Sequence, residues 1–221
     1  MADDAPVSRP LDPTEYEALP WHADSWQHLM QARARLPHAL LLQGQEGLGK
    51  QVFALRLARA LLCGQPAAQE GCGQCHGCRM FDAGHHPDLL RVTQEAERTA
   101  ITVEQIRSLA EFLSLRPHSA SHKVVLLTPA ERMNVNAANA LLKLLEEPPL
   151  GCVFVLVSSR PARLPATIRS RCVPIRFRPP APALVRDWLA KRQRPVDDTI
   201  LAAAGGAPFL AERLAQAELQ T

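Results

Sequence analysis

The stretch HALLLQGQEGLGKQVFALRLARALLC, residues 38–63, decides the fold of this chain. A short apolar run leads into a loop with three glycines, residues 44–51, and a longer segment rich in alanine, leucine and arginine follows. The short run is typical of a buried strand and the longer segment is typical of a helix. The order of strand, glycine loop and helix is the context of a phosphate-binding loop.

The loop departs from the signature G-x-x-x-x-G-K-[ST] at its last position. Gly44, Gly47 and Gly49 can provide its tight turns, and Lys50 supplies the cation that contacts phosphate. The signature needs a hydroxyl after the lysine to hold Mg²⁺, and this chain has Gln51 there. We therefore predict a degenerate phosphate loop. Weak nucleotide binding stays open, because the lysine is retained.

Apolar runs and helical segments alternate along most of the remaining chain. Further predicted strands are residues 88–93, 123–128, 152–158 and 172–177, and the predicted helices around them are residues 21–36, 102–117 and 136–148. Thr102 is the expected N-cap of the second of these helices, and Pro117 its stop. Strands of four to seven apolar residues that alternate with helices predict an α/β fold with a parallel sheet covered on both faces.

The pattern changes to helices only from about residue 181. We expect a leader at residues 1–20, a nucleotide-binding-type domain at residues 21–178 and a small helical domain at residues 179–221. A chain of 221 residues with 47% hydrophobic content can bury one sizeable core and a small second domain.

Charge and hydropathy exclude several classes of protein. A net charge of +3 is too small for a polycation that coats nucleic acid. The first residues carry acids and prolines rather than a basic segment with an apolar run, so we expect no secretory signal. No run of eighteen apolar residues occurs, and we expect a soluble, cytoplasmic protein without a membrane span.

Four of the six cysteines are closely spaced as C-x8-C-x2-C-x2-C, at Cys63, Cys72, Cys75 and Cys78. Closely spaced thiolates in a reducing compartment suit a tetrahedral metal, and zinc is the expected ion. Four protein ligands leave no open position for water, so the site is expected to be structural. A redox pair, ordinary thiols or replacement of one ligand by His76 are the alternatives. Cys152 and Cys172 are expected to be small core residues.

Two further strings are more specific than the glycine loop. ANALLKLLEEPP (residues 138–149) and ATIRSRC (residues 166–172), together with the degenerate loop and the spaced cysteines, resemble the delta-prime subunits of the bacterial replicative clamp loader. The resemblance spans roughly residues 21–214. It implies an AAA+-like domain with a five-stranded parallel sheet, a zinc-binding insertion at residues 63–78 and a small helical lid. It also implies a third, collar domain, which we expect to be absent because the chain ends at residue 221.

The resemblance also implies partners. Delta-prime subunits are components of the DNA polymerase III holoenzyme and assemble with tau or gamma motor subunits and a delta subunit in a heteropentamer. That assembly loads the sliding clamp onto primer-template DNA during DNA replication. No membrane partner is implied.

ATP hydrolysis requires groups that this sequence lacks. The strand at residues 123–128 should end in an acidic pair that orients magnesium and water, but Thr128 and Pro129 stand there. Glu131 is expected to face solvent in a turn after the proline. The resemblance places Phe209 where motor subunits carry an arginine. We therefore predict no significant ATPase activity in the chain alone.

The resemblance assigns Arg171 as an arginine finger that acts on a neighbour's γ-phosphate, with Ser170 shaping its turn. The alternative is a surface arginine paired with a nearby acid. No acidic residue occurs between Pro148 and Arg186, whereas seven arginines lie in or at the end of that window, namely Arg160, Arg163, Arg169, Arg171, Arg176, Arg178 and Arg186. This local positive charge suits phosphate, and direct DNA contact is one possibility.

Three rival functions remain at this point. The first is an active P-loop ATPase of the clamp-loader or remodeller type. The second is a zinc module that binds nucleic acid by itself, and the third is a redox enzyme that uses its C-x-x-C pair. Phosphate release, a salt-dependent binding titration and zinc content would separate them.

Overall fold

The structure is a computed structural model that describes residues 9–65, 67–95, 98–118 and 120–218. Its strands are β1 (Ala39–Gln43), β2 (Leu89–Thr93), β3 (Lys123–Thr128), β4 (Cys152–Ser158) and β5 (Val173–Arg176). Its α-helices are α1 (Ala23–Gln31), α2 (Lys50–Leu62), α3 (His76–Asp82), α4 (Val103–Ser114), α5 (Val135–Glu146), α6 (Ala166–Arg169), α7 (Pro182–Lys191), α8 (Asp198–Ala203) and α9 (Pro208–Glu218). We call α7, α8 and α9 the lid helices.

The five strands form one parallel sheet in the order β2-β3-β4-β1-β5. β4 is buried along its whole length, and the first four residues of β1 are buried too. Strands of a parallel sheet read as continuous apolar runs because helices cover both faces. The predicted α/β fold with a five-stranded parallel sheet is confirmed.

Neighbouring side chains of each central strand enter different cores. Val155 of β4 packs with Phe53 and Leu57 of α2 on one face. Phe154 of the same strand packs with Leu109 of α4 and Leu141 of α5 on the other. This alternation follows from the two-residue period of a strand, and it fixes α2 on one side of the sheet and the α4–α5 pair on the opposite side.

The lid helices have a core of their own, which includes Trp188, Leu189 and Leu201. Two residues from the segment before α1 join it. Leu19 is 1% exposed, and the Trp21 ring lies 5.0 Å from that of Trp188 in an edge-to-face arrangement. The segment expected to be a leader therefore contributes to packing as far as it is described. Its first eight residues, like the last three residues expected in the lid domain, lie outside the described residues.

Two predicted helices have other boundaries in the structure than the sequence predicts. The segment predicted as one helix at residues 21–36 is a 3-10 turn (Pro20–His22), α1 and a second 3-10 turn (Arg33–Arg35). The helix with the Thr102 N-cap was predicted correctly at its start, where Thr102 and Gln105 form a reciprocal capping box.

Within the described residues, no helix has the length and apolar character needed to cross a membrane.

Candidate functional site

The glycine loop connects the carboxyl end of β1 to the start of α2 and is in close contact with its surroundings. Gly47 and Gly49 have φ angles of 81° and 80°, which side-chain-bearing residues rarely adopt. A Cβ atom on Gly47 would lie 2.8 Å from the Leu210 amide nitrogen, and one on Gly49 would lie 2.4 Å from a Leu19 methyl group. The glycines are therefore needed both for the backbone turn and for the close approach of the lid.

The lid helices bond directly to the loop. The amide of Phe209, near the start of α9, donates to the Gly47 carbonyl at 3.0 Å. The Gln45 side-chain amide donates to the Gly205 carbonyl at 2.8 Å. Phe209 therefore contacts the loop at the position where the resemblance places an arginine in motor subunits.

The segment before α1 seals the other side of the loop. The Trp21 indole donates to the Leu48 carbonyl at 3.0 Å, and His22 Nε2 lies 2.9 Å from the same oxygen. Burial lowers the pKa of His22 to about 4, so the imidazole is neutral near pH 7. Its neutral Nε2–H tautomer can donate this bond. No local sequence pattern indicates these two contacts, because they depend on tertiary packing.

Lys50 is the first residue of α2 and is only 5% exposed. Its ammonium donates to the Gln45 carbonyl at 2.6 Å and to the Ser159 hydroxyl at 3.1 Å. Burial lowers its pKa from 10.5 to about 8, although the charge of Glu131 acts to raise it. Lys50 also lines a cavity of about 410 Å³ beside the loop. The lysine that would contact phosphate is thus already bonded to protein groups.

The positions that usually hold magnesium have other residue types. Gln51 follows the lysine in place of a hydroxyl residue. Thr128 is the last residue of β3 and Pro129 follows it, so neither position has a carboxylate.

The expectation that Glu131 faces solvent is wrong. One carboxylate oxygen accepts the Ser159 amide at 3.0 Å, and the other is buried without a described partner. The 3-10 turn Ala130–Arg132 places this side chain beside the carboxyl end of β4.

Sequence reasoning missed Ser159, Glu46 and Arg213 at this site. Ser159 follows β4, which neighbours β1, and ligands of open α/β sheets bind at the carboxyl ends of such strands. That placement was a usable signal for Ser159. Arg213 of α9 lines the 410 Å³ cavity and pairs with Glu46 of the loop at 2.8 Å. No sequence signal joined these two, since they are separated by most of the chain.

The sulfur atoms of the four spaced cysteines lie within 4.8 Å of one another and could hold a metal ion. Cys63 follows the last residue of α2, and Cys75 caps α3 by accepting the Cys78 amide at 3.4 Å. The amides of Cys72 and Cys75 donate to the sulfurs of Cys63 and Cys72, each at 3.3 Å. Burial raises the pKa of Cys75, but amide donors lower it to about 6. Amide donation to sulfur favours the thiolate form that binds a metal.

The structure also agrees with the expectations for His76, Cys152 and Cys172. His76 is exposed at the start of α3 and is not part of the sulfur cluster. Cys152 and Cys172 are buried, at 5% and 6% exposure. Arg59 of α2 pairs with Asp82 of α3 at 2.9 Å and so links the two helices. The glycine loop lies at the start of α2 and Cys63 directly follows its last residue, so the loop and the cysteine cluster are at opposite ends of this helix.

Arg171 lies between α6 and β5 with about a third of its side chain exposed. It donates to the carboxylate of Glu146 at 2.6 Å and to the Thr167 carbonyl at 2.9 Å. The Ser170 hydroxyl donates to the same carbonyl at 3.0 Å, which closes the turn. In the isolated chain Arg171 has the paired arrangement that the sequence left open as its alternative.

The sheet register places Arg171 away from the loop of its own chain. Val173 at the start of β5 pairs with Leu40 near the start of β1, whereas the loop begins after Gln43 at the other end of that strand. Three residues of strand correspond to roughly 10 Å. Arg171 therefore lies at the amino-terminal ends of the strands, whereas the loop lies at their carboxyl ends.

Comparisons with known proteins show which family the chain resembles. Residues 22–181 match the family model described as DNA polymerase III, delta subunit. The chain is 44% identical over 202 residues to the DNA polymerase III subunit delta' of Pseudomonas aeruginosa, covering 90% of this chain and 61% of that protein. It is 36% identical over 204 residues to the subunit delta' of Escherichia coli K12, with the same two coverages, 90% and 61%. The chain thus spans about 61% of the length of these relatives.

Solved structures show the same fold at low identity. A DNA polymerase III gamma subunit-related protein from Thermotoga maritima superposes with a TM-score of 0.52 at 23% identity, covering 86% of this chain and 57% of that one. The RuvB Holliday junction branch migration motor of the same species gives 0.53 at 16% identity, covering 88% and 59%. These likenesses show that the chain shares the fold of these proteins. The predicted resemblance is confirmed, and the chain belongs to the DNA polymerase III delta-prime subunit family.

Proposed function

We propose that this chain acts as a clamp-loader subunit that does not hydrolyse ATP and supplies Arg171 to a neighbouring motor subunit. The observation that carries the proposal is that the glycine loop and Arg171 lie at opposite ends of the strands. Gln51 stands where a hydroxyl usually follows the lysine, and Thr128 and Pro129 stand where carboxylates usually follow β3. Arg171, in contrast, lies on a closed turn at the amino-terminal ends of the strands. A cation at that end of the strands can serve only a site outside its own loop.

Loss of hydrolysis follows from what the reaction needs. Phosphoryl transfer depends on cradled phosphates, a bound magnesium ion and neutralisation of developing charge. Here Lys50 is bonded to Gln45 and Ser159, and Phe209 provides no charge at the lid. Magnesium-bound ATP would have to displace these bonds and would find no carboxylate at the end of β3.

The Arg171–Glu146 pair is compatible with action on a neighbour. Both side chains are substantially exposed, and pairs of this kind contribute about 0–1 kcal/mol because water screens them. A γ-phosphate of higher charge can therefore replace Glu146 as the partner of Arg171. Arginine fingers of this type change rates by roughly 10³ to 10⁵.

The partners that the family relationship suggests are tau or gamma motor subunits and a delta subunit in a heteropentamer. Through that assembly the chain would support loading of a sliding clamp onto primer-template DNA. We propose residues 21–178 as the AAA+ domain, residues 179–221 as the lid, and zinc as a structural ion held by the cysteine cluster. Elemental analysis should find about one zinc ion per chain with all four clustered thiols protected from alkylation.

Two measurements test the proposal. Mixing the protein with motor and delta subunits should give a stable complex whose ATPase responds to clamp and primed DNA. The purified chain alone should release no more phosphate from ATP than its Lys50→Ala variant. Failure to enter the complex would contradict the assembly role, and Lys50-dependent phosphate release would contradict the loss of hydrolysis.

One observation favours an active P-loop ATPase as a second candidate. The Glu131 carboxylate is buried beside Ser159 and acts electrostatically on Lys50, so an acid is present near the loop although not at the end of β3. If that acid substitutes for the missing pair, the phosphate-release assay will show turnover that Glu131→Gln abolishes.

A further inference from the structure

A second cavity, of about 380 Å³, lies beside the glycine loop at the carboxyl ends of β2, β3 and β4. Three arginines line it, and we call it the arginine cleft. Arg132 follows β3, and Arg160 and Arg163 follow β4. The carboxyl ends of parallel strands are where open α/β sheets bind ligands. This cavity therefore combines a favoured ligand position with a concentration of positive charge.

The guanidinium groups of the arginine cleft have no partners among the described residues. None of the three forms an ion pair or a side-chain hydrogen bond there. By contrast, Arg56 and Arg59 each pair with an acidic side chain. Three unpaired like charges around one cavity repel each other, so an anion bound among them would gain favourable interactions with all three.

Two acidic groups also line the cleft. Glu46 pairs with Arg213 at 2.8 Å, and Glu131 accepts the Ser159 amide through one oxygen at 3.0 Å, while its other oxygen is buried without a described partner. The three arginines of the cleft therefore outnumber the one lining carboxylate that is not ion-paired among the described residues. The hydroxyls of Thr93 and Thr128 add neutral polar groups to the lining. The cleft thus offers cationic forks together with hydroxyl groups, which is the chemistry that recognises phosphate oxygens.

The shape of the site indicates which phosphate compound it suits. The three arginines line one cavity of about 380 Å³, and no aromatic side chain is among the described residues that line it. Binding of single-stranded nucleic acid usually combines a long basic groove with aromatic stacking. A short chain of phosphates, with several charges in a small volume, fits this cavity better.

We propose that the arginine cleft binds a polyphosphate anion through Arg132, Arg160 and Arg163, on the side of the glycine loop that Glu46 and Gln51 form. Lys50 takes no part, because its ammonium is bonded to Gln45 and Ser159. The site is separate from Arg171 and does not rest on the proposed function. Pyrophosphate, tripolyphosphate and the phosphate chain of ATP share the recognised chemistry.

Calorimetric titration of the chain with pyrophosphate at low ionic strength tests the proposal. One saturable site is expected. The Arg160→Ala/Arg163→Ala double variant should bind pyrophosphate at least about tenfold more weakly, because it removes two charged hydrogen-bond donors. Lys50→Ala should bind as the wild type does. Arg35→Ala/Arg116→Ala is the matched control, because it removes the same charge from exposed positions elsewhere. Circular dichroism checks that each variant is folded.

Parallel titrations with tripolyphosphate, ATP and an oligothymidylate identify the source of the phosphates. ATP binding that depends on Arg160 and Arg163 supports the proposal and assigns a nucleotide. Arginine-dependent binding of pyrophosphate or tripolyphosphate without ATP binding supports it and assigns an inorganic anion. The proposal is overturned by binding of the oligonucleotide alone, by no binding at all, by loss of binding in Lys50→Ala, or by equal weakening in the control.

Discussion

Replacing Lys50 by methionine should stabilise the folded chain at neutral pH, although it removes the cation of the glycine loop. The lysine is 5% exposed, and burial lowers its pKa from 10.5 to about 8. That difference corresponds to a penalty of about 3 kcal/mol for keeping the buried ammonium charged. Methionine fills a similar volume without a charge.

Two lost hydrogen bonds offset part of this gain. The bonds to the Gln45 carbonyl and the Ser159 hydroxyl contribute about 1 kcal/mol each. The Lys50→Met variant should therefore be more stable than the wild type by about 1 kcal/mol at pH 7, which is the difference between these terms.

The difference should change sign with pH. Below pH 8 the lysine is protonated in both the folded and the unfolded chain, and the penalty is present in full. Between pH 8 and 10.5 the folded chain releases the proton more readily, so the wild type gains stability as the pH rises. Near the upper end only the hydrogen bonds remain, and the variant should be the less stable protein.

Urea unfolding followed by tryptophan fluorescence measures this difference between pH 7 and pH 10. Trp21 bonds to the loop and should report its release. Lys143→Met is the matched control, because Lys143 is exposed and its replacement should have a small effect at every pH. A Lys50→Met variant that is less stable by the same amount at every pH would refute the reasoning.

Three further predictions concern the loop, the cysteine cluster and the arginine. Gly47→Ala forces a Cβ against a lid amide at 2.8 Å and a φ of 81°, so urea unfolding should show a loss of about 1–3 kcal/mol, and unchanged stability would contradict the lid contact. Cys75→Ser should abolish zinc binding in elemental analysis whereas Cys152→Ser retains it, and zinc retained in the first variant would exclude the cluster as the site. Glu146→Gln should raise the rate at which phenylglyoxal modifies Arg171 and change stability by less than about 1 kcal/mol, and an unchanged rate by mass spectrometry would show that the pair does not form in solution.

The strands were the most predictable part of the fold. The predicted runs at residues 123–128 and 152–158 coincide with β3 and β4. Buried parallel strands leave a strong signal, because both of their faces require apolar side chains. The cysteine cluster was predictable for a different reason, since closely spaced thiols are a local sequence pattern typical of a metal site.

Features that depend on tertiary contacts were not predictable. Helix α3 has little apolar periodicity, and its start is fixed by the Cys75 sulfur cap. Glu131 was predicted to lie in an exposed turn, but its partner is the amide of Ser159, directly after β4. The Ser159 hydroxyl also accepts a hydrogen bond from Lys50, which is 109 positions away in the sequence. Local sequence carries no record of such pairs.

The ATPase rate of the reconstituted assembly, measured with Arg171→Ala and with Lys50→Ala in this chain, tests the central claim most directly. We expect Arg171→Ala to lower the rate stimulated by clamp and primed DNA by at least about tenfold, given the usual effect of an arginine finger at one of several sites. Lys50→Ala should leave that rate unchanged. The opposite pattern, a rate that depends on Lys50 and is indifferent to Arg171, would contradict the account.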